Sequence, residues 1–177
     1  MISVILSGGA GSRLWPASRE NHPKPFLRQP DGFSFLQKSF ILASYLPEIE
    51  DIIVVTNKQL YYKTIEEFRN TKLYNSVNYI LEPFGRNTAP AISLAALEII
   101  REKSEDATVL VLTADHIILN INKFVESVNK AIEFAEKNKI VVFGIKPTYP
   151  AVSYGYIEKN EDNTVKRFIE KPALTAA

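Results

Sequence analysis

Gly8-Gly9-Ala10-Gly11-Ser12-Arg13-Leu14-Trp15-Pro16, followed by Pro23-Lys24-Pro25, carries the residue types from which an anion site is made. Closely spaced glycines let the backbone turn sharply and approach a ligand. Successive N–H groups in such a turn form a concave anion nest. Arg13 and Lys24 add two cations that can converge on the same anion. The stretch follows a short apolar run, Ile2-Ser3-Val4-Ile5-Leu6, so strand, glycine turn and cations together read as a phosphate site, with a nucleoside triphosphate as the ligand. Two other phosphate loops are excluded by spacing. No Gly-Lys pair occurs, so there is no Walker A loop. The dinucleotide pattern begins at Gly9-Ala10-Gly11 but meets Leu14 where its third glycine belongs. A plain strand-to-loop turn accounts for the glycines alone; Arg13 and Pro-Lys-Pro favour the phosphate site.

Three further segments hold polar groups suited to chemistry. Asp115, in Ala114-Asp115-His116, is the best metal-ligand candidate, because Mg²⁺ takes carboxylate and phosphate oxygens and keeps several waters. Asp115 could equally cap a helix or turn. Glu82-Pro83-Phe84-Gly85-Arg86-Asn87-Thr88 precedes a helical pattern. Asn87 and Thr88 can cap that helix, read a base or ribose, or do both. Glu170-Lys171-Pro172 pairs a carboxylate able to hold sugar hydroxyls with a lysine able to meet a phosphate, although an exposed strand-end pair has the same composition. Tyr154-Gly155-Tyr156 offers aromatic walls and a close backbone approach, or simply strand composition. His22 is given no role and His116 a structural one.

These segments need a frame. Apolar, β-branched runs at Ile2–Leu6, Ile52–Thr56, Val77–Leu81, Val109–Leu112 and Ile140–Phe143 read as strands covered on both faces. Helical patterns lie between them. Ser34-Phe35-Leu36-Gln37 has the form of a capping box opening a helix to about Tyr45. Leu60–Phe68 carries a second helix, and Ala89–Arg101 a third that should be well buried. Phe124, Val128, Ala131, Ile132 and Ala135 give a fourth its 3.6-residue repeat. The alternation predicts an α/β fold: a Rossmann-like, doubly wound, mostly parallel sheet with helices on both faces. Tyr154–Glu158 and Val165–Glu170 then form a small late hairpin around Asn160–Asn163. Residues 1–145 read as a nucleotide-binding core and 146–177 as the start of a second part. Ligands of such sheets bind beyond the carboxyl ends of the strands, where the glycine loop, Glu82–Pro90, Asp115 and Gly144–Tyr156 all fall.

The 177 residues include 21 basic and 20 acidic side chains, a net charge of +1. That balance gives no overall attraction to nucleic acid or an anionic membrane, so anion binding must be local. Without cysteine there are no disulfides and no thiolate metal site. No signal peptide is evident, and the apolar runs are far shorter than the ~20 residues of a membrane helix. A cytoplasmic location is expected.

Taken together, the glycine loop with Ser18-Arg19 and Pro23-Lys24-Pro25-Phe26-Leu27 resembles the signature of the sugar-phosphate nucleotidyltransferases. Trp15, Glu82-Pro83 and Arg86-Asn87-Thr88-Ala89-Pro90-Ala91 are similar to its mannose-1-phosphate guanylyltransferase (GDP-mannose pyrophosphorylase) branch. So are Leu112–His116, Phe143–Thr148, Tyr154–Ile157 and Phe168–Pro172, and the likeness runs from Met1 to about Pro172. The resemblance implies attack of mannose 1-phosphate on the α-phosphorus of GTP, giving GDP-mannose and pyrophosphate. It implies that Gly8, Gly9, Ala10, Gly11 and Ser12 cradle the triphosphate with Lys24, that Arg13 meets the departing pyrophosphate, and that Asp115 holds Mg²⁺. Glu82, Asn87 and Thr88 would form the nucleotide pocket, and Gly155, Glu170 and Lys171 would face the sugar phosphate. Val152-Ser153 departs from the usual Thr-Gly before Tyr-Gly-Tyr. Members of this family continue past Glu-Lys-Pro, so the chain reads as an N-terminal fragment, weakly active or inactive alone, with homo-oligomerisation of a longer parent left open. Two other readings remain: transfer with another sugar phosphate and nucleotide, and a non-catalytic nucleotide-binding module.

Overall fold

The computed structural model describes residues 1–9, 14–69, 71 and 77–174. They fall in two compact units, Met1–Lys139 and Ile140–Ala177. In the first unit, β1 (Ile2–Leu6), β2 (Asp51–Asn57), β3 (Val77–Glu82) and β4 (Val109–Thr113) form a parallel sheet in the order β3-β2-β1-β4. The helices are α1 (Phe35–Ser44), α2 (Tyr61–Arg69), α3 (Thr88–Glu102) and α4 (Ile121–Ala135). None of them is long and apolar enough to cross a membrane.

β1 is central because its apolar side chains can be covered on both faces. Ile5 joins Ile52 and Val54 beneath α1 and α2, where Leu36, Phe40, Leu60 and Phe68 close the core. Ile2 and Val4 point the other way, joining Ile53 and Val55 beneath Ala91, Ala95 and Ile99 of α3. α4 sets Val128 against Leu110 and Leu46 on the face that carries α1. The expected two-faced covering is therefore present. Ser34 opens α1 with the full capping box: its hydroxyl accepts from the Gln37 amide, and the Gln37 side chain accepts from the Ser34 amide. Two backbone donors are satisfied at once, so the helix start is fixed.

Two expectations fail. Ile140–Phe143 forms no strand, and the parallel sheet has four members among the described residues. A β-branched run becomes a strand only by pairing, and the pairing in the second unit lies elsewhere: β5 (Gly155–Lys159) runs antiparallel to β6 (Val165–Glu170). Gly144–Tyr156 therefore does not follow a strand end. α3 is not well buried either. Ala91, Ala95 and Ile99 face the sheet, but Leu97 is 64% and Ile100 48% exposed. A helix on one side of a single sheet buries one stripe, whatever the composition of its other sides.

Phe40 is 1% exposed and its ring lies 4.6 Å from that of Phe68. Phe40→Ala should lower unfolding stability by about 3–5 kcal/mol in denaturant titrations. A loss under about 1 kcal/mol would mean that α1 and α2 are not jointly packed as described.

Candidate functional site

The order β3-β2-β1-β4 changes direction between β1 and β4. In open parallel sheets a crevice forms at that point, beyond the carboxyl ends of the strands. Here it is a cleft of about 550 Å³. Gly8 and Gly9 enter it after β1, Glu82 from the end of β3, Asn87 and Thr88 at the start of α3, and Asp115 after β4. Lys24 reaches it from the loop that follows β1. Seven residues expected at the site thus line one cleft. Ala10, Gly11, Ser12 and Arg13 lie outside the described residues.

The rim of the cleft is an extension of the sheet. Ser7 donates its amide to Val55 (2.8 Å), and Ala114 donates to the Leu6 carbonyl (3.1 Å). The segments leaving β1 and β4 are therefore held side by side. The Ser39 hydroxyl on α1 is shared between the Phe35 carbonyl (3.1 Å) and the Thr113 carbonyl (3.2 Å), linking the helix to the end of β4, two residues before Asp115.

Lys24 occupies a single 3-10 turn, Lys24–Phe26, whose Pro25 and Phe26 are buried. That anchorage aims the ammonium inward: Lys24 Nζ lies 3.1 Å from Asp115 Oδ2 and 5.4 Å from the centre of the Phe35 ring. Partial burial pushes the Asp115 carboxyl up, but the hydrogen bond and charge of Lys24, with smaller help from His116 and Thr113, outweigh it. The carboxyl is held below its usual value, so Asp115 is an anion at neutral pH. His116 is exposed, with Nε2 3.7 Å from Asp115 Oδ1, the oxygen that Lys24 leaves free.

Glu82 differs in environment. It is 5% exposed, and burial raises its carboxyl above the usual value. Its carboxylate has no hydrogen-bond or ion-pair partner among the described residues. A Cβ added to Gly8 would stand 2.5 Å from Glu82 Oε2, so a larger residue there would make the carboxylate swing aside. At Gly9 a Cβ would meet nothing within 4 Å. Asn87 holds φ at 66°, and its side chain makes no capping bond to α3. Of the roles open to it in the sequence, capping is thus not the one it adopts.

No group of three or more His, Cys, Asp or Glu side chains able to hold a metal is found among the described residues. A cage built from protein alone is therefore absent there. The single carboxylate of Asp115 still suits Mg²⁺, which commonly takes one or two carboxylates and completes its shell with phosphate oxygens and water.

In the second unit, Gly155 lies opposite Glu170 in the β5–β6 ladder. A Cβ at Gly155 would come 2.8 Å from Glu170 Oε2, so the glycine makes room for that carboxylate. Lys171 follows with φ 45°, donates its amide to the Tyr154 carbonyl (3.1 Å), and sets its Nζ 3.7 Å from Glu170 Oε1. The hairpin therefore gathers all three residues at one end, with both charged side chains exposed.

Sequence reasoning did not find Ser39, nor Phe35 beneath the Lys24 ammonium. Their contacts join residues distant in the chain and leave no local pattern.

A mannose-1-phosphate guanylyltransferase of Escherichia coli is 43% identical to this chain, covering 100% of the chain and 40% of the relative. One of Klebsiella pneumoniae is 44% identical, covering 97% and 38%. The chain thus spans about two-fifths of the length of these curated relatives. A solved structure from Thermus thermophilus, described as mannose-1-phosphate geranyltransferase, superposes with a TM-score of 0.81 at 30% identity, covering 98% of this chain and 51% of that one. The family described as Nucleotidyl transferase matches residues 2–177, nearly from end to end, and the chain belongs to that family.

Proposed function

We propose that this chain carries the nucleotide-binding part of an enzyme that transfers a guanylyl group from GTP to mannose 1-phosphate, releasing pyrophosphate. The observation that supports it most is the meeting of Lys24, Asp115 and Glu82, the last unpartnered among the described residues, in one cleft at the β1/β4 crevice. The names of the relatives point the same way.

The chemistry asks little of side chains as nucleophiles. An oxygen of the sugar 1-phosphate is already anionic and attacks the α-phosphorus directly. The α-phosphorus–oxygen bond to the β-phosphate breaks, and pyrophosphate departs with the electron pair. Catalysis of such a transfer is positioning and neutralisation of charge. Backbone amides at Gly8 and Gly9 would bind phosphate oxygens, with Ala10, Gly11 and Ser12 continuing the cradle. Lys24 would leave Asp115 for the phosphates, and Arg13 would meet the departing pyrophosphate. Asp115 would hold Mg²⁺, which when bound offsets phosphate charge. Gly155, Glu170 and Lys171 would contact the sugar phosphate.

Glu82 accounts for the base. An ionised carboxylate only accepts hydrogen bonds. Guanine presents two neighbouring donors, N1–H and the exocyclic amine, and matches it. Uracil and thymine place a single donor between two carbonyl oxygens, and adenine presents an acceptor at N1. A site with a buried acceptor rejects bases that leave it unpaired. Asn87 and Thr88 supply further polar groups for base or ribose.

Lys24→Ala or Asp115→Asn should reduce pyrophosphate release from GTP and mannose 1-phosphate on the order of 10²–10³-fold in the parent protein. Turnover within a factor of three of the native value in both variants would contradict these roles.

Glu82 should also give a pH signature. Its raised carboxyl protonates above the usual glutamate range as pH falls, while Asp115 stays ionised. Preference for GTP over UTP, a ratio in which phosphate titration cancels, should therefore fall on mild acidification. Glu82→Gln should lower the preference at neutral pH and flatten the profile. An unchanged ratio in Glu82→Gln by calorimetry would remove Glu82 from base recognition.

A further inference from the structure

Helix α2 does not line the cleft, yet two of its polar side chains hold the loop that carries Lys24. Lys63 and Glu67 are one turn apart on α2 and share a face. Lys63 Nζ donates to the Asn21 carbonyl (3.0 Å), meets His22 Nδ1 at 2.7 Å, and lies 4.8 Å from the centre of the Phe26 ring. It thereby grips the chain just before Lys24 and the ring just after it. Glu67 is 7% exposed and takes the other end: Oε1 accepts from Arg28 (2.8 Å), and Oε2 accepts from the Ser34 hydroxyl (2.7 Å). Arg28 also donates to Gln37 Oε1 (2.6 Å), and Gln37 Nε2 returns to the Glu67 carbonyl (2.9 Å). A closed polar network therefore joins α2, the start of α1 and both ends of the Lys24 turn.

We infer that Lys63 and Glu67 are positioning residues, which clamp segment 21–28 on both sides so that the Lys24 ammonium is held over the cleft. Without them the turn keeps its own backbone bonds, the bridges Arg19↔His22 and Arg28↔Ser34 and the burial of Pro25 and Phe26, but loses the side-chain contacts that hold residues 21, 22, 26 and 28 against α2. His22 takes part as a neutral acceptor: burial and the Lys63 charge, with Glu67 opposing and Arg28 adding, lower its pKa, leaving a lone pair on Nδ1 for the Lys63 ammonium. Glu67 is a buried charge whose Arg28 partner is half exposed, so the pair fixes direction more than it adds stability. The functional consequence rests on the nucleotidyl-transfer reading, but the clamp itself can be measured without nucleotide.

The test is the acylation rate of Lys24 by an N-hydroxysuccinimide ester, read by mass spectrometry against exposed Lys130 in the same chain, alongside GTP affinity by calorimetry. Lys63→Met, Glu67→Gln and the milder His22→Ala, made at an exposed position, should each raise the relative Lys24 rate. About fivefold is expected where one net hydrogen bond is lost. Lys63→Arg, which can still donate to Asn21 and lie on Phe26, should restore it to within twofold. GTP affinity should fall in parallel with the rise in Lys24 reactivity. If Lys24 reactivity rises but native and variant chains alike fail to bind GTP, the clamp stands and the nucleotide reading fails. If the native chain binds GTP while cooperatively folded variants leave Lys24 reactivity unchanged, the clamp is overturned and the nucleotide reading stands.

Discussion

Lys24 and Asp115 are 91 residues apart in the chain and 3.1 Å apart in space, and the first unit is arranged around that contact. A lysine and an aspartate on separate surface loops would meet rarely and contribute little, since exposed ion pairs are worth ~0–1 kcal/mol. Here both partners are supported from behind. Asp115 follows β4, which is parallel to β1 in register from Ile2↔Val109 to Leu6↔Thr113. Lys24 rides a short turn pinned by Phe26 in the core. The pair thus reports whether the sheet, α1 and the loop after β1 have assembled together.

The same pair defines how the cleft can take up an anion. In the free chain the ammonium neutralises the carboxylate, so neither charge faces the crevice alone. On the proposed reading, a polyphosphate that attracted Lys24 would release Asp115 for a cation, and a cation on Asp115 would release Lys24 for the phosphate. Each exchange would make the other more favourable, because both would remove the competing partner. Glu82 stands apart from this exchange. The residue is largely buried, and its carboxylate, unpaired among the described residues, lies against Gly8 at the lining of the cleft, where a ligand can supply donors. A site combining a compensated charge pair with a separate acceptor would suit a ligand that is anionic at one end and rich in donors at the other.

Much of this was legible in the residues. The runs at β1, β2 and β4 are mostly apolar and rich in β-branched residues, which suits a doubly covered parallel sheet, and Ser34 with Gln37 announces the start of α1. Once β1, β3 and β4 are placed, Gly8, Glu82 and Asp115 fall at their carboxyl ends as a matter of direction. Ile140–Phe143 misled because composition records what a strand is made of and not whether a neighbour pairs with it. α3 misled because Leu97 and Ile100 are as apolar as Ile99, and only the sheet decides which stripe is covered. Asn87 could not be resolved between cap and free amide, since the choice lies in a backbone angle of φ 66°. Lys63, Glu67 and His22 left no signal, because ordinary polar residues acquire their role only when α2 is set beside the loop.

The most direct measurement is a backbone amide chemical-shift map of the chain titrated with GTP and Mg²⁺. The account predicts saturable shifts concentrated at Gly8, Gly9, Glu82, Asn87 and Asp115 in the first unit. Shifts confined to other surfaces, or none at millimolar nucleotide, would contradict it.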